Sequence, residues 1–518
     1  MALESILKNN ATFYPSLFCL LIAIFVFNFT TTRIRRRRRS KSNVPPSPPK
    51  LPFIGNLHQL GTLPHRSFRT LSHKYGPLML LHLGRTPSLV VSSAEIAREI
   101  IKAHDVVFSN RTQTTAAKIF FYGCKDVAFI HYGEEWRHKR KICVAELLSL
   151  NRVQSFEFIR KEEVEEMVSN IREACKRKNK VSPVINLSQI LIGASVNILL
   201  RCVVGNRCNA LRGSSNFDDL ARKVMIQLVD FSFGDFVPCL WWMDYVTGLI
   251  PKLKATFREL DAFFDEVIAQ HKTDDQSDRK EKDFVDILLH LQEEPMPEFK
   301  LTQQDIKAIL VDMFVAGSDT SSTALEWAMT ELVRNPSIMR KAQEEVRRVV
   351  GDKSKVEDID VKQMKYLECV VKETLRLHPP APLLAPRETR STVKIRGYDI
   401  PPKTSVYINA WAIQRDPEVW ERAEEFVPER FENSEIDFKG QDFEFIPFGI
   451  GRRRCPGIAF GIASVEYVLA NLLNWFEWKL PETATCAQDI DMTEKSGVTV
   501  NKKEPLHLQP VPVGSFGS

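Results

Sequence analysis

The sequence lacks several patterns that would assign a function at once. Its ten cysteines include no CxxC pair, which leaves little support for a zinc site. It has no Walker A pattern, and the run Gly449-Ile450-Gly451 continues into arginines instead of completing a dinucleotide fingerprint. No Gly/Ser-rich linker, low-complexity tract or internal repeat divides the chain. The electrons for any redox chemistry must therefore come from a partner.

One stretch near the N-terminus lacks charge altogether. Residues 13–29 are apolar and just long enough to cross a bilayer as a helix. Seven basic residues follow within 33–41, and removing them from the net charge of +6 leaves −1. A cleaved signal peptide has the opposite order, and the positive-inside rule places the rest of the chain in the cytosol. We predict an uncleaved anchor at 1–32, in preference to a nucleic-acid arm or a buried helix.

The rest of the chain is predicted to be a linker and one large domain. Residues 33–52 are basic and then proline-rich, which is typical of a stiff spacer and equally of an ordinary linker. Residues 53–518 form the domain, which we predict to be mainly α-helical with a minor β-sheet region. Helices are predicted over 162–176, 301–335, 361–377 and 458–475, and short strands over 79–83, 88–92, 393–395 and 405–408.

The strongest local signal surrounds Cys455. The run from Pro447 to Gly457 precedes an apolar helix, so the cysteine lies where the helix dipole and neighbouring arginines favour a thiolate. Glycines at 451 and 457 clear space for a flat group, and Phe448 supplies an apolar wall. The alternative is a buried structural cysteine, the usual fate of a lone thiol.

This segment resembles the haem-binding loop of the cytochromes P450. The family pattern F-x-x-G-x-R-x-C-x-G is met by Phe448, Gly451, Arg453, Cys455 and Gly457. The similarity extends over the whole chain and is closest to the plant A-type, microsomal branch (71 clan-like). It implies the cytochrome P450 fold, haem b as cofactor, and Cys455 as the axial ligand of the iron. An axial thiolate favours cleavage of the O–O bond.

A second segment, Ala316-Gly317-Ser318-Asp319-Thr320, places hydroxyls and a carboxylate in the middle of a helix. Read alone, it is explained by hydroxyls that bond back to the preceding turn. It is similar to the family's oxygen-activation segment, where Ala316 and Gly317 would open a groove. The resemblance implies that Thr320 stabilises activated oxygen and that Asp319 helps relay protons.

The resemblance assigns two further groups of residues. Glu373 and Arg376 share a helix face and, with Arg430, are similar to a Glu-Arg-Arg network that serves folding and haem loading. The haem propionates would be bound by a set of residues comprising Trp136, Arg140, Arg387 and Arg453. Without the resemblance, residues 135–141 are also explained as a basic amphipathic helix.

The implied partners are O2, a lipophilic small molecule, membrane lipid and an NADPH–cytochrome P450 reductase, with no nucleic acid. Exposed Lys139, Lys141 and Arg454 would receive the acidic face of the reductase. Substrate would contact 110–130, 211–253, 311–320, 381–385 and 497–499. The apolar stretch 231–243 either enters the membrane interface or packs in the core. The predicted location is the endoplasmic reticulum membrane, single-pass, with the catalytic domain facing the cytosol.

Three functions agree with the sequence. The first is hydroxylation or epoxidation of a plant terpenoid, alkaloid or phenylpropanoid by a haem monooxygenase. The second is the same haem chemistry ending in ring closure, desaturation or C–C cleavage. The third is a membrane-tethered binding protein with a structural cysteine. Nothing in the sequence separates the first from the second.

Overall fold

A computed structural model describes residues 43–177, 183–205, 215–273, 282–294, 299–481 and 486–513. The predicted anchor at 1–32, its apolar span at 13–29 and the basic run at 33–41 lie outside these residues. The described part of the chain is mainly helical with small sheets, as the sequence predicts.

Helices account for most of the described residues. The helices are α1 Pro64–Tyr75, α2 Ala94–His104, α3 Thr115–Phe120, α4 Glu134–Ile142, α5 Leu150–Ser155, α6 Glu157–Arg177, α7 Leu187–Val204, α8 Ser215–Gln227, α9 Phe233–Phe236, α10 Met243–Val246, α11 Leu249–Thr273, α12 Phe284–Glu293, α13 Gln303–Arg334, α14 Pro336–Val350, α15 Asp358–Val361, α16 Lys365–Leu377, α17 Ala410–Ile413 and α18 Ile458–Trp475.

The long helix α13 is the central element of the core. Its N-terminus is closed by a capping box: the Thr302 hydroxyl accepts the Asp305 N–H, and the Asp305 carboxylate accepts the Thr302 N–H. The helix packs against α7, α16 and α18, and almost all of its side chains are buried. Since Pro336 begins the next helix, α13 ends at Arg334 as its sequence predicts.

The strands form one mixed sheet and smaller pieces. The strands are β1 Leu78–Leu83, β2 Thr86–Val91, β3 Asn110–Arg111, β4 Ile185–Asn186, β5 Arg387–Glu388, β6 Val393–Ile395, β7 Tyr398–Ile400, β8 Ser405–Ile408, β9 Phe476–Lys479, β10 Glu494–Lys495, β11 Asn501–Lys502 and β12 His507–Pro512. The mixed sheet has the order β1-β2-β8-β5-β3, in which β2 and β8 are parallel. A second sheet has the order β4-β12-β9, and β10 and β11 form a hairpin.

The chain divides into two compact units. The larger contains residues 46–393 and the chain from 401 onward, and it holds the helices listed above. The smaller joins residues 43–45 to Lys394–Ile400 in its described part. There the Asp399 N–H donates to the Asn43 carbonyl (2.6 Å), and the Asn43 amide donates to the Gly397 carbonyl (3.1 Å).

Two described helices, α7 and α18, are long and apolar enough to cross a membrane. Both are mostly buried inside the protein and belong to its hydrophobic core. Packing in the core therefore explains why these two helices are long and apolar.

Candidate active site

Cys455 lies between a short 3-10 turn, Gly451–Arg453, and the start of α18. The backbone N–H of Gly457 donates to its sulfur (3.3 Å). Burial raises the pKa of the Cys455 thiol, and this N–H together with the Arg140 guanidinium opposes the rise without reversing it. The loop therefore stabilises the thiolate only in part. A metal cation bound to the sulfur would provide the remaining stabilisation.

The two glycines of the loop are needed for different reasons. Gly451 has a φ of +67°, and a Cβ there would stand 2.8 Å from Oδ1 of Asp105 and 3.0 Å from a methyl group of Ile101. Gly457 has an ordinary φ of −91°, and a Cβ there would make normal contact with the Cys455 sulfur at 3.9 Å. Gly451 therefore allows the loop to pass close to the end of α2, a reason that its sequence does not reveal.

An apolar slot lies between α13 and α18, next to the cysteine loop. Its lining includes Thr320 and Ala324 from one helix, Ile462 and Val465 from the other, and Phe448. Thr320 donates its hydroxyl hydrogen to the Ala316 carbonyl (2.7 Å), the back-bond that its position in a helix allows. The slot therefore has mainly apolar walls, with Thr320 and Ser321 as its hydroxyl-bearing residues.

The small pair Ala316-Gly317 has two separate roles in the packing. Ala316 is exposed although the five residues before it are buried, so α13 opens to a cleft at this position. Gly317 faces α7 instead, because a Cβ there would stand 3.0 Å from both methyl groups of Leu199. The groove predicted for this pair is therefore formed at Ala316, while Gly317 allows close packing of two helices.

Asp319 faces a different cavity from its neighbour Thr320. Its Oδ2 accepts a hydrogen bond from the Thr499 hydroxyl, and both residues line a larger, more polar pocket. Glu326 and Lys502 also line this pocket. Successive helical residues point about 100° apart, which explains why the two side chains separate.

Four guanidinium groups and one indole gather beside the cysteine loop: Arg111, Arg140, Arg387, Arg453 and Trp136. Arg453 lies over the Trp136 ring at 4.6 Å and donates to the carbonyls of Ser109 (2.7 Å) and Val127 (3.0 Å). The Trp136 indole N–H is buried with no partner in the described part of the chain. The sequence predicts this grouping except for Arg111, which no motif marks.

The arginine cluster carries excess positive charge. Burial lowers the pKa of Arg453 to about 9, and repulsion from Arg387 adds to the effect. Burial lowers the pKa of Arg111 too, and three neighbouring arginines contribute. A group with two carboxylates would neutralise this charge and could accept a hydrogen bond from the unpaired Trp136 indole N–H. Together with the thiol and the apolar slot, these features fit haem b, a flat apolar macrocycle that carries two propionates.

The predicted Glu373–Arg376–Arg430 network is assembled in the fold. Arg376 donates to both carboxylate oxygens of Glu373 (2.8 and 2.9 Å), and Arg430 donates to Oε1 (3.0 Å). Glu373 and Arg376 are fully buried. Arg376 also donates to the carbonyls of Gln414 and Ala423 (both 2.8 Å), so the network joins α16 to the segment before the cysteine loop. Its role in haem loading stays a prediction.

The prediction that Lys139 is an exposed contact for a partner is wrong. Its side chain is fully buried, and its ammonium group is paired with Asp305 (2.8 Å) and Glu135 (2.6 Å). The helical spacing of α4 turns Lys139 inward, toward the start of α13. Lys141 remains exposed and Arg454 is half-buried.

Comparison with known proteins agrees with this geometry. A family model described as cytochrome P450 matches residues 45–508. The phenylacetaldehyde oxime monooxygenase CYP71AN24 of Prunus mume is 54% identical over 90% of this chain and 89% of its own length. Desmethylyatein synthase of Sinopodophyllum hexandrum is 49% identical (90% and 94%), and strychnine-11-hydroxylase of Strychnos nux-vomica is 47% identical (90% and 91%).

The fold is also found among solved structures. A zebrafish cytochrome P450 bound to abiraterone has a TM-score of 0.72 and 24% identity, over 87% of this chain and 99% of that one. At this identity the similarity shows the fold alone, and it agrees with the helical architecture described above.

Proposed function

Because the chain belongs to the cytochrome P450 family, we propose that it inserts one oxygen atom from O2 into a lipophilic plant specialised metabolite by hydroxylation or epoxidation. It is a monooxygenase, and members of its family bind haem b through a cysteine thiolate. The observation that carries the proposal is the cysteine loop: its Phe448 lines an apolar slot, and its Cys455 lies beside the Arg140 guanidinium. Haem, when bound, supplies the activation of O2, which thiolate ligation favours.

The residues that would hold the haem fall into two groups. Phe448 and Ile462 line the slot and would contact the faces of the macrocycle. Arg387, Arg453 and the Trp136 N–H would bind the propionates. Both arginines are buried, and of the two only Arg387 has an ion-pair partner among the described residues, Asp105 at 3.2 Å. The indole N–H has no hydrogen-bond partner there. The arginine fork suits a carboxylate better than a lysine would.

Thr320 and Asp319 would divide the handling of protons. The Thr320 hydroxyl lies in the slot and can donate or accept at the reacting oxygen. Asp319 lies in the polar pocket, where it can take up a proton from water.

The electron donor is proposed to be a reductase that carries its own nucleotide and flavin. Lys141 and Arg452 are exposed basic residues near the cysteine loop, and Arg454 is half-buried. We expect an acidic reductase surface to contact this face. Replacing Lys141 and Arg452 by glutamate should slow reductase-supported turnover at low salt and have less effect at high salt.

The substrate class rests on the relatives and on the pocket. Their names refer to an oxime, to strychnine and to desmethylyatein, and we propose a lipophilic terpenoid, alkaloid or phenylpropanoid for this chain. Ile192, Val196, Met225 and Ile226 supply apolar lining to the larger pocket. Such a lining suits a largely apolar molecule with a few polar groups.

A membrane location is proposed from the predicted anchor at 1–32 and from an exposed aromatic surface. Phe231, Trp241, Trp242 and Tyr245 are each about half exposed or more. From the sequence, the stretch 231–243 either enters the membrane interface or packs in the core. Exposed aromatic residues of this kind favour the membrane interface. We propose that they contact lipid on the cytosolic side of the endoplasmic reticulum.

The proposal is tested by the spectrum of the reduced protein with carbon monoxide. We expect the red-shifted Soret band of thiolate-ligated haem in the wild type and its loss in Cys455→Ala. Cys369→Ala, which removes another buried thiol far along the chain, serves as the control and should keep the band. A band that survives in Cys455→Ala would show that another residue binds the iron. Screening lipophilic compounds with a plant reductase and mass spectrometry then identifies the product.

A further inference from the structure

Two buried carboxyl groups face each other beside the arginine cluster. Asp126, on the segment between α3 and α4, is fully buried, and Asp312 in α13 is 7% exposed. Oδ2 of Asp312 accepts the backbone N–H groups of Val127 (2.6 Å) and Ala128 (3.3 Å). Oδ2 of Asp126 accepts the Phe129 N–H (2.8 Å), and its Oδ1 is buried with no hydrogen-bond partner among the described residues, one residue before the peptide N–H groups that Asp312 binds.

No cation forms an ion pair with either carboxyl group in the described residues. The charged and titratable groups that face them are the guanidinium groups of Arg111 and Arg453 and the thiols of Cys124 and Cys143. Burial raises the pKa of Asp312 well above its ordinary value and that of Asp126 in the same direction. Two adjacent carboxylates, neither of which forms an ion pair in the described residues, are strongly unfavourable in a protein interior.

We infer that Asp126 and Asp312 share one proton at neutral pH, and that the resulting carboxyl–carboxylate hydrogen bond positions Arg453 for an anionic cofactor group. The proton resides on Asp312, because Asp126 lies nearer to the arginines, which stabilise its negative charge. Burial raises the pKa of both carboxyl groups, and the hydrogen bond between them offsets part of the rise for Asp126 while it adds to the rise for Asp312. The pair behaves as one acid with one proton.

The link to Arg453 runs through a single peptide group. The Ala128 N–H donates to Asp312, and the Val127 carbonyl of the same peptide unit accepts from Nη1 of Arg453 (3.0 Å). A peptide held at both ends fixes the guanidinium relative to α13. Asp126 and Asp312 are therefore positioning residues, and this part of the inference rests on the proposed role of Arg453 in haem binding.

The shared proton is tested by infrared difference spectroscopy on the full-length holoprotein. The C=O stretch of a buried carboxylic acid should be present at pH 7 and lost in Asp312→Asn, because Asp312 holds the proton. Asp305→Asn is the matched control, since Asp305 is a buried acid of the same helix that is paired with Lys139 and ionised. A band unchanged in Asp312→Asn overturns the inference.

The pH dependence of unfolding gives an independent readout. A folded-state pKa that is raised means that the unfolded chain releases its proton first, so stability falls as pH rises above about 4. The urea midpoint of the wild type should show this fall, and Asp312→Asn, which keeps a donor to Asp126 without a proton to lose, should show a smaller one. If Asp312→Asn does not fold, the double variant with Asp126→Asn serves in its place. Equal slopes in wild type and variant contradict the inference.

The link to the cofactor is tested by the rate of haem transfer to apomyoglobin, followed at the Soret band. Asp312→Ala leaves two backbone N–H groups without an acceptor and should lose haem faster, on the order of tenfold. Asp312→Asn should retain haem as the wild type does. If Asp312 acted through packing alone, this difference between the two variants would not be required. Equal rates in both variants refute the positioning role. If the wild type lacked a thiolate-haem spectrum, the proposed function would fail, while the infrared result would still stand.

Discussion

The hydroxyl of Thr499 donates a hydrogen bond to Oδ2 of Asp319, joining the turn before β11 to the middle of the longest helix. The Asn501 amide donates to the same hydroxyl (3.4 Å), and the Val500 N–H donates to the Pro380 carbonyl (2.9 Å). The turn is thus fixed on two sides, and Asp319 is held toward the polar pocket, away from Thr320.

Replacing Thr499 by valine should destabilise the holoprotein by about 1 kcal/mol, because the carboxylate of Asp319 loses a donor that solvent replaces only in part. Thr499→Ser keeps the hydroxyl and should lose less. Urea unfolding followed by circular dichroism measures both. Equal losses in the two variants would indicate that the methyl group, and not the hydrogen bond, matters.

Replacing Thr320 by alanine should uncouple the reaction, since a hydroxyl positioned for proton transfer contributes on the order of tenfold or more. We expect less product per NADPH consumed and more hydrogen peroxide. Thr330→Ala is a matched control: Thr330 makes the same back-bond, to the Glu326 carbonyl (2.7 Å), but does not line the slot. Unchanged coupling in Thr320→Ala would show that its role is misassigned.

Replacing Gly451 by alanine should destabilise the fold by more than about 2 kcal/mol, because the residue has a positive φ and a Cβ would clash with Asp105. Thermal unfolding and haem content both report this loss. The control is Gly193→Ala in α7, where nothing lies within 4 Å and the φ is ordinary, so helix propensity predicts a neutral or stabilising effect. Similar stabilities for the two variants would contradict the packing described for the cysteine loop.

Acid should weaken the fold partly through Glu494. Burial would raise the pKa of this carboxyl group, but hydrogen bonds from His65 (3.1 Å) and Arg66 (2.8 Å) lower it to about 2. A lowered pKa gives stability that is present above about 4.5 and is lost as pH falls through about 2. The contribution is on the order of 2 kcal/mol, reduced by the solvent around Arg66. Glu494→Gln should therefore unfold with a shallower pH dependence between these values.

The regular elements with strong local signals are predicted well from the sequence. The long helix is predicted at 301–335 and found at Gln303–Arg334, because the capping box and Pro336 define both ends locally. Strands β6 and β8 and helix α18 have the predicted bounds. The helix predicted over 361–377 begins at Lys365, since residues 358–361 form a separate turn of helix.

Side-chain environments depend on tertiary contacts and are predicted less well. Lys139 belongs to a basic run that is typical of a surface, yet the start of α13 supplies the acid that pairs with it. Arg111 and the pair Asp126–Asp312 have no motif, because their partners lie many residues away along the chain. Each of these is a charged residue inside an otherwise apolar segment. The sequence shows the same pattern at many exposed positions, so the pattern alone does not identify a buried charge.

The two cavities are separated by α13, and this separation affects how the substrate preference of such an enzyme can change during evolution. The slot beside Cys455 and the polar pocket at Asp319 share no lining residue among the described part of the chain. Selection can therefore exchange side chains such as Ile226 or Val498 in the pocket while Thr320 and the cysteine loop, on the other side, are inherited unchanged. Descendants of such an enzyme can accept new substrates through substitutions in the pocket. The intermediates in this evolution stay active.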